Sequence, residues 1–201
     1  MPPRITCIVE GHGEVEALPI LIRRFTEKVD PTLPIHVGKP LRVPKSKLLR
    51  GDEFERTIEL AGRFAGAEGG IFVLIDSDDD CPKEWGPRLL ERAHRKRSNQ
   101  PISVVLAKQE FEAWFLASAE SLRGKRGLAD DLAAPGDPEA IRGAKEWLSA
   151  QKRDGSRYSE TVDQPALAKI FDLEAAKKAA SFEKFHREIL KLIETLLSRS
   201  S

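Results

Sequence analysis

The segment Gly70-Ile71-Phe72-Val73-Leu74-Ile75-Asp76-Ser77-Asp78-Asp79-Asp80 constrains this chain more than any other stretch. Its five apolar residues show no alternation, which reads as a strand buried on both faces and so as part of a parallel sheet covered by helices. Similar runs occur at 5–9, 35–43 and 102–107, giving four expected strands. Between them lie segments of helical character. Residues 15–29 place Leu18, Leu21, Ile22 and Phe25 on one face. Residues 52–65 open on Asp52-Glu53-Phe54-Glu55, an apparent capping box, and 82–98 carry Trp85, Leu89, Leu90 and Ala93 at helical spacing. Strand alternating with helix predicts an α/β domain with a mostly parallel four-stranded sheet and right-handed crossovers.

Beyond residue 109 the pattern is helical only: 109–122, 138–151, 164–170 and 181–198, the last with Ser181 placed to cap it. Residues 124–138, rich in Gly, Asp and Pro, read as an exposed linker. The expected division is an α/β domain over 1–122 and a helical extension over 123–201 packed on it.

The same Asp-rich segment raises a question of charge. Along an extended chain Asp76 and Asp78 project to one side. Two carboxylates about 4 Å apart repel by roughly 4 kcal/mol at an effective dielectric near 20. A solvated turn, a basic neighbour, a shared proton or a divalent cation would each relieve this. The other strand ends are acidic too: Glu10-Gly11-His12-Gly13-Glu14 follows the first run, and Lys108-Gln109-Glu110-Phe111-Glu112 the fourth. In open α/β sheets the carboxyl ends of the strands form the ligand crevice. Three acidic ends at one edge favour a hard, oxygen-seeking cation such as Mg²⁺ or Mn²⁺. Gly11 and Gly13 suit a tight turn that a bulky ligand approaches closely. Glu14 falls at a helix start, where a phosphate beside the metal would also be attracted. His12 reads as a ligand, a base or an exposed turn residue.

Composition narrows the field. The 201 residues include 33 basic and 32 acidic ones, a net charge of +1, so bulk charge selects no partner. Hydrophobic content of 40% and charged content of 32% fit a globular chain. No apolar run reaches the roughly 20 residues of a membrane span, and the start lacks a secretory apolar core. Cys7 and Cys81 are too few for a four-ligand zinc site. The expectation is a cytoplasmic protein with reduced thiols and no membrane contact.

The Val-Glu-Gly turn, the nearby glutamate and the later Asp-Ser-Asp resemble the Toprim domain of topoisomerases, DnaG-type primases and OLD-family nucleases. VEGHGEVEALP, LIDSDDDCP, LAKQEFEAWFLA, GAKEWL, YSETVDQPALAKIFDL and SFEKF extend the likeness over nearly the whole chain, to a Toprim-like family of bacterial proteins. Members of that family often stand beside ATPases in gene neighbourhoods that resemble defence loci. The resemblance implies a Toprim fold. It also implies Mg²⁺ (or Mn²⁺) held by Glu10, Asp76 and Asp78 as catalytic residues, with Glu14, Asp80, Glu110 and Glu112 completing the metal set. The implied partners are DNA or RNA and a separate ATPase. A topoisomerase needs a nucleophilic tyrosine in another domain, and the one tyrosine is Tyr158. A hydrolytic nuclease, with water as nucleophile, is the remaining expectation. A non-catalytic metal-, nucleic-acid- or partner-binding module is the alternative, and a receiver-like phospho-acceptor a further one.

Arg42, Lys45 and Lys47 in LRVPKSK are candidate phosphate contacts, as is Lys145 through the family likeness, although a helix-surface lysine reads equally well. His94-Arg95-Lys96-Arg97 complements a helix dipole. Trp85, Trp114 and Trp147 read as packing residues.

Overall fold

A computed structural model describes residues 2–30, 32 and 35–200. The strands are β1 (Arg4–Val9), β2 (His36–Val37), β3 (Leu41–Arg42), β4 (Gly70–Asp76) and β5 (Ile102–Ala107). The helices are α1 (Glu14–Val29), α2 (Lys45–Leu48), α3 (Glu53–Ala65), α4 (Pro82–Lys96), α5 (Ala113–Ala117), α6 (Ala144–Ala150), α7 (Asp163–Ala168) and α8 (Ala180–Ser200). All the strand pairs are parallel, in the order β2-β1-β4-β5 with β3 also on β1, and the sheet is open.

β4 shows why an unbroken apolar run suits this place. Ile71, Val73 and Ile75 join Phe54 and Ile58 of α3 and Leu89 and Ala93 of α4 in one core. Phe72 and Leu74 point the other way, into a core with Phe25 of α1 and Phe182, Phe185 and Ile189 of α8. The pleat thus feeds two helical layers, and no face of the strand meets water. In the second core Trp114 lies with its ring centroid 5.2 Å from Phe182 and 5.1 Å from Phe185. That core takes in α5, α7 and α8, so the residues beyond 122 are built into the sheet's own packing.

Several local expectations are corrected. The single strand expected over 35–43 is two short strands, which makes the sheet five-stranded. Both halves pair with β1, and Pro40 between them has no amide to donate to a ladder. The helix expected from 109 starts at Ala113, because Gln109 takes φ 59 and bridges Asp78. Residues 138–151 hold one 3₁₀ turn, Pro138–Ala140, followed by α6. The supposed linker is no exposed tether, since Leu128, Ala129 and Leu132 are buried. Asp52 makes no side-chain cap bond and instead pairs with Arg56 at 2.9 Å.

Ser181 is not the cap of α8 either. Its hydroxyl receives the Trp114 indole N–H at 2.8 Å. The Glu139 carboxylate takes the amides of Ala180 and Ser181 at 3.1 and 2.8 Å, so an anion from a distant turn caps the helix. Among the described residues no helix is long and apolar enough to cross a membrane.

Candidate functional site

From β1 the chain moves to β2 and β3 on one side, and β4 and β5 lie on the other. The switch point therefore falls between β1 and β4, where Val9 is paired with Leu74. Glu10 leaves β1 at that point and Asp76 ends β4. Asp76 shares the parity of Phe72 and Leu74, so it turns toward the α1 and α5 layer. It is 6% exposed, and its Oδ1 accepts the Phe111 amide at 2.8 Å. Glu14, 3% exposed at the start of α1, folds back to accept the amides of Gly11 and Glu10 at 2.9 and 3.2 Å. Glu112, 1% exposed before α5, accepts the Tyr158 hydroxyl at 3.0 Å.

These acids crowd one another. Burial, and then the charges of Glu14, Glu112 and Glu10, hold the Asp76 carboxyl well above the usual range. Burial pushes Glu14 up to about 7, with the charge of Glu10 adding to it against the Gly11 and Glu10 amides. Burial likewise pushes Glu112 up to about 7, against the opposing pull of Lys145. Glu10 is raised by burial and then by Asp78, with Lys45 pulling the other way. Three buried carboxylate oxygens, Oε2 of Glu10, Glu110 and Glu112, have no hydrogen-bond partner. Buried carboxylate oxygens without hydrogen-bond partners are hard donors of the kind a divalent cation takes. Among the described residues, no three His, Cys, Asp or Glu side chains already stand grouped as a ready metal cage.

The expectation that Asp76 and Asp78 project together is overturned by the backbone. Asp78 takes φ 48, and its amide donates to the Gln109 carbonyl at 3.1 Å, which ends the strand's alternation. Two neighbouring non-glycine residues with positive φ, Asp78 and Gln109, store backbone strain at the strand ends. Asp78 lies outward, its side chain 61% exposed, and Lys45 Nζ meets Asp78 Oδ2 at 2.9 Å and Asp80 Oδ2 at 3.1 Å. Lys45 also donates to the Ser77 carbonyl at 2.8 Å. Asp79 pairs with Arg142. Basic neighbours thus relieve the outer part of the acidic run, and burial with proton retention marks the inner part.

The candidate phosphate contacts are redistributed. Lys45 is tied to the acidic loop, and Arg42 donates to the Glu10 carbonyl at 3.3 Å. Lys47 is solvent-exposed beside Glu53 at 3.6 Å. Lys145 enters the acidic centre from α6, 3.5 Å from Glu160 Oε2 and 4.0 Å from Glu112 Oε2. Its pKa is raised: the pull of Glu112, Glu160, Asp76 and Glu110 overcomes a burial effect that acts in the opposite direction. His12 is an exposed turn residue.

Sequence reasoning missed Tyr158, Glu160 and Gln164. A Cβ on Gly13 would lie 1.7 Å from Gln164 Oε1 and 2.4 Å from the Glu160 carbonyl. The close approach that Gly13 permits is therefore made by the chain's own segment at 160–164, where a bulky ligand had been expected. The phosphate expected at the start of α1 likewise meets a turn whose amides are taken by Glu14. The signal for this segment was the YSETVDQ stretch, whose residues carry no metal-binding or phosphate-binding pattern by themselves.

Residues 9–190, most of the chain, match the family described as Domain of unknown function (DUF4276). No curated protein and no solved structure matches the chain.

Proposed function

The chain belongs to the DUF4276 family, and we propose that it is a Toprim-like, Mg²⁺- or Mn²⁺-dependent nuclease that hydrolyses phosphodiesters of DNA or RNA. The observation that carries this reading is that three buried carboxylate oxygens, on Glu10 after β1 and on Glu110 and Glu112 after β5, lack hydrogen-bond partners. Glu10, Asp76, Glu110 and Glu112 would hold the cation, and Asp78 and Asp80 would join them on release from Lys45. The bound ion supplies charge that stabilises the attacking and leaving oxygens of a phosphodiester.

The chain's own residues do the rest. Glu14 fixes the Glu10 turn through two amides, and the Phe111 amide fixes Asp76. Tyr158 orients Glu112 through one oxygen and leaves the second without a hydrogen bond, 4.0 Å from Lys145. Lys145 is placed to meet the anionic phosphate once Glu112 is engaged elsewhere. The burial of these acids keeps their charges strongly interacting. A partner ATPase and a cytoplasmic location belong to the same proposal.

The test is cleavage of single- and double-stranded DNA and RNA by purified protein with Mg²⁺ or Mn²⁺, alongside Glu10→Gln and Asp76→Asn. Cleavage that needs the metal and vanishes in both variants is expected. A second reading, a non-catalytic module, is favoured by the lysines that already offset Asp78, Asp80 and Glu112. Metal binding by the wild type with no cleavage of any substrate would select it.

A further inference from the structure

The cations first assigned to phosphate are held by acids or carbonyls, so a strand meeting this edge must find others. β5 is the outer strand of the sheet. At its carboxyl end α4 from one layer and α8 from the other part, leaving a groove of about 700 Å³. That volume is in the range of ligand clefts. Pro82, Pro87 and Leu106 give it an apolar floor. Lys83, Lys108, Lys184 and Arg187 stand around it against two carboxylates, Glu139 and Glu183. Glu139 is already engaged, since both its oxygens receive the first amides of α8. Among the described residues Lys83, Lys108 and Arg187 make no ion pair. Lys108, one of the groove's lining residues, stands two residues before Glu110, whose buried Oε2 has no hydrogen-bond partner.

We propose that this groove binds the sugar–phosphate backbone of one nucleic-acid strand and delivers it to the acidic edge. The proposal rests on the nuclease reading and names its substrate as single-stranded. The unpaired cations match the charge of the backbone, and the apolar floor covers sugar and base surface. No aromatic residue lines the groove, so binding rests on the charge of the backbone and not on base stacking, and is insensitive to base sequence for that reason.

The experiment measures binding of a fluorescent mixed-sequence single-stranded 20-mer and its duplex to the full chain by anisotropy. It is run in EDTA over a salt series, which prevents metal-dependent cleavage. Lys108→Ala/Arg187→Ala is compared with wild type and with Lys169→Ala/Lys191→Ala, which removes the same charge from other exposed positions. The groove variant should bind roughly tenfold more weakly at moderate salt. Its slope of log affinity against log salt should flatten by about 1.4, as loss of two single-strand phosphate contacts requires. The control pair should match wild type, and all three proteins should share one thermal midpoint.

Equal loss in both pairs, no loss in either, or no binding by wild type would overturn the proposal. Duplex binding as tight as single-strand binding and equally groove-dependent would overturn the choice of substrate. Groove-dependent binding with no cleavage on adding Mg²⁺ would remove the nuclease reading and leave the groove standing. Cleavage with unaltered KM in the groove variant would do the reverse.

Discussion

Glu112 offers a test in which two effects predict opposite signs. It is 1% exposed, and burial lifts it from the usual 4.5 to about 7, although Lys145 and the Tyr158 hydroxyl favour its ionised form. Below pH 4.5 the group is protonated in both the folded and the unfolded chain, so it costs nothing. Between about 4.5 and 7 the unfolded chain gives up the proton and the folded chain keeps it, so stability falls as pH rises. Above about 7 the whole cost persists. A difference of about 2.5 at 1.36 kcal/mol per pH unit is about 3 kcal/mol. The perturbation is Glu112→Gln, which keeps an oxygen for Tyr158 and removes the charge. In metal-free buffer the variant should equal wild type near pH 4 and gain about 3 kcal/mol at pH 8. Urea unfolding at each pH reads this as a midpoint shift of roughly 1–1.5 M, if m is about 2–3 kcal/mol/M. If the variant is less stable than wild type at pH 8, the Lys145 and Tyr158 contacts outweigh burial, and the account of the acidic centre as strained is wrong.

Millimolar Mg²⁺ or Mn²⁺ should raise the thermal midpoint of the wild type, because binding to the native state stabilises it by mass action. An equal rise in Asp76→Asn would place the ion elsewhere. Trp114→Ala, which empties a fully buried ring site and frees the Ser181 hydroxyl, should cost about 3–5 kcal/mol in urea unfolding. A loss under 1 kcal/mol would mean that the aromatic core refills. Gly13→Ala should destabilise strongly, and adding Gln164→Ala should restore only part of the loss, because the Glu160 carbonyl still stands 2.4 Å from the new Cβ. Full restoration in the double variant would show that the 160–164 backbone shifts freely.

The parts of this molecule written in local pattern were readable from the chain. The uninterrupted run at 71–75 announced a strand with two buried faces, and the spacing of Leu18, Leu21, Ile22 and Phe25 announced the inner face of α1. The acidic strand ends followed from the parallel sheet, since adjacent parallel strands must finish at one edge. Compensation between distant charges has no local signature. Lys45 reaches Asp78 across 33 residues, Tyr158 reaches Glu112 across 46, and Glu139 caps a helix 41 residues on. Backbone reversals of non-glycine residues were equally hidden. Positive φ at Asp78 and Gln109 is imposed by the bridge between them, and this separated Asp78 from Asp76 and delayed α5.

The way α8 covers the sheet sets an order on biosynthesis. Phe72 of β4 packs on Phe185 of α8, with ring centroids 5.4 Å apart, although more than a hundred codons separate them. At about 5–20 residues per second a nascent chain carries that bare face for roughly 5–20 s before its cover is made. Glu112 waits for Tyr158, and Asp76 for the counter-charge of Lys145, over part of the same interval. The growing polypeptide thus keeps that apolar face uncovered until its last helix is made, and the acidic edge matures late. A chain halted at residue 179 should be cut rapidly in limited proteolysis under conditions that spare the full-length protein. Equal resistance of the two would show that the sheet holds together without its final helix.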